Sequence, residues 1–80
     1  MNIQLIQGEF SSSEALELST EMIHIKIKYH ENKIGKIGSE EDIKYRESKI
    51  KKLQKELFEL REYINSNPKN VQIESTLKIE

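Results

Sequence analysis

The chain has 80 residues, 35% hydrophobic and 34% charged, with no Cys, no Trp and one Pro. That length gives one domain near the lower limit for a self-sufficient core, and without Cys there is neither a disulfide framework nor a cysteine-ligated zinc site. Unbroken apolar runs no longer than two residues argue against a signal peptide or a membrane span and leave a cytoplasmic location as the expectation.

The net charge of −1 hides three blocks: residues 1–25 carry −4, residues 26–55 carry +5 and residues 56–80 carry −2. An apolar share below the ~45–50% usual for globular chains fits long helices with wide solvated faces. Scaffolds of this size often need oligomerisation to complete a core.

Taken in chain order, residues 2–7 read as a short strand ended by Gly8. Ile3 and Leu5 share one face, while Ile6 breaks strict alternation and leaves a disordered tail as the competing reading. Ser11 followed by Glu14 has the spacing of a capping box and starts a helix over about 12–34, with Phe10 and Ala15 placed for a hydrophobic staple. Ala15, Leu18, Met22, Ile25 and Tyr29 form one stripe of that helix. Leu16, Ile23, Ile27 and Ile34 form a second, about 100° away. The alternation of Ile23, Ile25, Ile27 and Tyr29 with His24, Lys26 and Lys28 also suits a strand, but the capped start and the longer helical spacing favour helix. Lys26 then falls inside the broad apolar face, where it must snorkel, pair with a carboxylate, or mark a wet margin.

Gly35-Lys36-Ile37-Gly38 closes this helix, with Gly35 as a left-handed C-cap. Ser39 caps the second helix, whose first turn holds Glu40, Glu41 and Asp42, acids suited to the positive end of the helix dipole. It runs over about 40–64 and stops at Asn65-Ser66-Asn67-Pro68. Along it Ile43, Arg46, Ile50, Leu53, Leu57, Leu60 and Ile64 make a ladder of three- and four-residue steps, one apolar seam broken by an arginine. Arg46 cannot be buried unpaired. It covers the end of the seam, fixes register against Glu47 or another carboxylate, or binds an anion. Residues 71–79 alternate Val71, Ile73, Ser75, Leu77 and Ile79 with polar positions, the pattern of a second strand.

The expected fold is therefore mainly α: an antiparallel, coiled-coil-like helical hairpin flanked by short terminal strands, order β-α-α-β. The two helices satisfy one seam but leave the second stripe and Phe58 over, so pairing two hairpins into a four-helix homodimer is the simplest closure. Whether the strands pair within or between subunits stays open. The interaction seam comprises Met22, Ile23, Ile25, Ile27, Tyr29, Ile43, Ile50, Leu53, Leu57, Phe58, Leu60 and Ile64.

Chemistry is sparse. Glu21-x-x-His24 has the spacing of a di-metal bundle ligand pair, with Glu17 one turn before it, but these residues lie opposite the apolar stripes and read as a solvated face. His30 is on another helical face, at the margin of the apolar surface. No nucleophile elbow or phosphate loop is present. The expectation is no enzyme, no metal and no cofactor. Antiparallel folding gathers Lys33, Lys36, Lys44, Arg46, Lys49, Lys51 and Lys52 over the distal half of the hairpin, an alternative contact for nucleic acid or another anionic surface. Glu31, Glu40, Glu41, Asp42 and Glu47 dilute that field. A protein-interaction or assembly role is the leading reading.

Overall fold

The computed structural model describes residues 1–36, 39–66 and 69–80. Four elements follow one another: β1 (Asn2–Phe10), α1 (Ser12–Ile34), α2 (Glu40–Ser66) and β2 (Val71–Lys78). The helices form an antiparallel hairpin, and the strands form a two-stranded antiparallel sheet.

Residues Ile37, Gly38, Asn67 and Pro68, which the sequence places in the two breaks, lie outside the described residues. Local chemistry accounts for the other boundaries. The Ser11 backbone N–H donates to Glu14 Oε1 at 3.1 Å, and the Glu14 N–H donates to Ser11 Oγ at 3.3 Å. This reciprocal box satisfies two donors that a helix start leaves over. It also holds the Glu14 carboxyl below its ordinary range, chiefly through the Ser11 backbone N–H and then the Ser11 hydroxyl. Ser12 Oγ donates to the Lys69 carbonyl at 3.0 Å, tying the start of α1 to the approach to β2.

Gly35 is not left-handed: its φ of −69° and ψ of −14° are right-handed helical. The turn is tightened instead by the Lys36 N–H on the Lys33 carbonyl at 3.1 Å. At the other end α2 runs through Asn65 to Ser66, whose Oγ donates to the Tyr63 carbonyl at 2.9 Å.

The sheet corrects the reading of the first strand in two ways. β1 continues through Gly8, which pairs with Ile73, to Phe10, which pairs with Val71. Gly8 sits at φ 145°, a left-handed value that a side chain would strain. Between Gln4 and Ile6 the register shifts, so Leu5 is a bulge. Ile3 pairs with Leu77 and Ile6 with Ser75, which puts Ile6, rather than Leu5, on the face of Ile3. One face of the ribbon thus carries Ile3, Ile6, Phe10, Val71, Ile73 and Leu77. The other carries Asn2, Gln4, Gln7, Glu9, Gln72, Glu74, Thr76 and Lys78. Beyond β2, Met1 and Ile79 extend the ladder with backbone bonds of 2.7 and 2.8 Å.

The core is small. Ala15 and Ile27 of α1 and Leu53, Leu57 and Ile64 of α2 are its buried apolar residues, with Ile64 only 1% exposed. The molecule measures 45 × 33 × 13 Å. Among the described residues little contact joins the ribbon to the helices, so the molecule has no second layer packed over the hairpin. Its Cα radius of gyration is 15.1 Å, against about 12 Å for a compact chain of this length. The fold is a slab with two open broad faces.

Candidate functional site

The distal half of the hairpin holds its most unusual chemistry. His30, one turn before the end of α1, is 7% exposed, so it is part of the core and not at the margin of the apolar surface. Its Nδ1 lies 3.0 Å from Arg46 Nη1. An arginine only donates, so Nδ1 accepts and the imidazole is neutral there. Burial pushes the His30 pKa down, and the charges of Arg46, Lys26 and Lys49 add to that direction.

This contact explains how a guanidinium occupies an apolar ladder. Arg46 follows Ile43 by three residues and precedes Ile50 by four, so it faces α1 at the level where α1 presents a histidine instead of an isoleucine. Its guanidinium carbon stands 5.6 Å from the Tyr29 ring centroid and 5.9 Å from that of Tyr45. Both distances suit a cation over an aromatic face. Neither Glu47 nor any other described carboxylate pairs with it, and among the described residues the one ion pair is Lys78–Glu80 at 2.9 Å. Lys33 Nζ is 5.6 Å from the Tyr29 centroid and Lys49 Nζ is 5.4 Å from that of Tyr45. Tyr29 also meets His30 edge to face at 5.5 Å and 73°. Three cations and two tyrosines therefore share one patch around a buried neutral histidine.

The residues of the anticipated seam divide between the interior and the surface. Ile27, Leu53, Leu57 and Ile64 are buried, while Met22, Ile23, Ile43, Ile50 and Leu60 are half-buried. Ile25 is 70% exposed and Phe58 is 65% exposed. Tyr29 is exposed too, so these three do not lie between the two helices. Of the anticipated anion contacts, the structure brings Lys33, Arg46 and Lys49 together. Lys36, Lys44, Lys51 and Lys52 are exposed side chains outside that cluster. Lys26 is exposed as well. The partnership of His30 with Arg46 was missed in the sequence; two breaks in otherwise apolar stripes at facing levels were the available signal.

A shallow groove of about 410 Å³ runs beside α1, lined by Glu21, His24, Ile25, Ile27, Lys28 and Glu31. It holds the Glu21/His24 pair, yet among the described residues no group of three or more His, Cys, Asp or Glu is placed to hold a metal ion. Among the same residues no helix is long and apolar enough to cross a membrane. Comparison with protein-family models, characterised proteins and solved structures gives no match.

Proposed function

We propose that this chain is a non-catalytic assembly module that works as a homodimer, a second copy supplying the layer that a single copy lacks. Surface area carries the proposal. The chain exposes 6461 Å², whereas a compact monomer of 9.4 kDa exposes about 5,000 Å². The surplus is roughly 1,500 Å² per chain, which doubled falls in the ~2,000–5,000 Å² range of obligate homodimer interfaces. Single-layer domains leave apolar faces in water, and stable domains bury them between layers. Here those faces are Leu18, Met22, Ile25 and Tyr29 on α1 and Ile3, Ile6, Ile73 and Leu77 on the ribbon. Sedimentation equilibrium at tens of micromolar tests the reading. A mass twice that of the chain is expected, and a monomer at every concentration overturns it.

A second reading rests on the tip. Cations set around two exposed tyrosines are the combination that single-stranded nucleic acids bind, through phosphate contacts and base stacking. Anisotropy of a labelled single strand, at low and moderate salt, decides it. Salt-dependent binding that weakens on Tyr29→Ala supports this reading, and its absence removes it.

A further inference from the structure

The surface of α2 carries a second row beside the one that faces α1: Tyr45, Lys49, Lys52, Glu56, Glu59 and Tyr63. Its steps alternate four and three residues, so the row stays on one side of the helix for its whole length. The row is a palindrome in shape and an antipalindrome in charge about position 54. Tyr45 mirrors Tyr63, Lys49 mirrors Glu59, and Lys52 mirrors Glu56. Lys49 is half-buried and the other five are exposed. Although Lys52 and Glu56 have the spacing of an intrahelical pair, none of the four charges forms an ion pair among the described residues.

Resting on the homodimer reading above, we infer that the second copy lies across this face with its α2 antiparallel to the first, the two-fold axis passing at the level of Gln54. The row would then meet itself reversed: each tyrosine opposite the other tyrosine, and each lysine opposite a glutamate. Parallel packing of the same row would set lysine on lysine and glutamate on glutamate. In isologous helix pairs such flanking charges set orientation more than affinity.

The helix next door has the matching symmetry. Arg46 touches both Tyr29 and Tyr45, so the α1 stripe containing Tyr29 and the α2 row containing Tyr45 border one face of the hairpin. The part of that stripe still open to solvent, Leu18, Met22, Ile25 and Tyr29, is centred between Met22 and Ile25, Ala15 being fully buried in the single copy. Arg46 meets His30 across the hairpin, so counting equal steps along both helices from that pair puts Met22 roughly level with Gln54, close to the centre of the stripe. One two-fold axis therefore lays the apolar stripe of α1 over its own copy and aligns the charges of α2 with their opposites. The stripe supplies the burial and the row supplies the direction.

Cysteine pairing tests the orientation cleanly, because the chain has no Cys of its own. Positions 45 and 63 stand about 27 Å apart along the helix, and a disulfide needs Cα atoms within about 7 Å. Full-length Tyr45→Cys and Tyr63→Cys variants, carrying different tags, are oxidised separately and as a mixture. A covalent dimer that joins the two variants, formed in the mixture and by neither variant alone, is expected. The charge-reversed variants K49E/K52E and E56K/E59K test the same axis without touching either tyrosine. Each alone should raise the dimer Kd by roughly tenfold or more, since facing like charges repel, and an equimolar mixture should restore association. Self-linking of either cysteine variant, or no mixed product and no charge effect from a chain that sediments as a dimer, overturns this orientation and leaves the dimer standing. A chain that sediments as a monomer overturns both.

Discussion

The two ends of the hairpin are closed by different physics. At the root, Ala15 of α1 and Leu57 and Ile64 of α2 are buried, and what holds them is removal of apolar surface from water. At the tip, the facing position pairs His30 with Arg46 between two tyrosines. A root contact is non-directional and insensitive to pH. The tip contact works only with one protonation state and one geometry, so it adds specificity more than bulk stability.

The largest expected effect tests the root. Ile64→Ala opens a cavity at the most buried large side chain and should cost about 2–5 kcal/mol, read from the midpoint of urea unfolding. A cost below 1 kcal/mol would mean that root and tip do not differ in the way described. Next comes Arg46→Leu, which completes the apolar ladder but leaves His30 Nδ1 without its donor. A loss of about 1–3 kcal/mol is expected, the penalty for an unsatisfied buried acceptor. Stabilisation instead would show that the apolar seam outweighs the polar pair.

The third effect is a pH dependence confined to the tip. His30 is lowered by burial and by Arg46, Lys26 and Lys49, from an ordinary value of 6.5. The unfolded chain therefore takes up its proton first as pH falls. Stability should be level above neutrality and decline as pH drops through 6.5 toward the folded value, and His30→Gln should flatten that part of the curve. Glu14, whose carboxyl is lowered by Ser11, adds its own loss only below its ordinary 4.5. The smallest effect is Gly35→Ala at the end of α1. Gly35 is right-handed, and among the described residues a Cβ there would meet the Asn32 carbonyl at an ordinary 3.8 Å, so a gain of up to about 1 kcal/mol is expected in thermal unfolding.

Much of this architecture is legible in the residues. The capping box at Ser11 and the ladder from Ile43 to Ile64 mark the helices, and the alternation from Val71 marks a strand, which together give the β-α-α-β order. The bulge at Leu5 was not legible, because it arises from register against β2 and not from β1 alone. Gly35 does not take the left-handed form that a glycine after a helix suggests, because glycine is compatible with both hands of backbone. The tip cluster needed the facing levels of two helices, and a sequence shows those levels only once the hairpin is assembled. The exposure of Phe58 was legible, since its offset from the ladder leaves it over, but the stripe left over on α1 is the one with Ile25 and Tyr29 and not the one with Ile23 and Ile27.

On the proposed homodimer reading, a single copy is half of a structure. Small-angle X-ray scattering on the full chain at several concentrations tests it most directly, because it yields mass and radius together. A mass twice the 9.4 kDa of the chain, persisting on dilution to the low micromolar range, is the predicted result. A mass of one chain with a radius of gyration near the 15.1 Å of the isolated slab would contradict it.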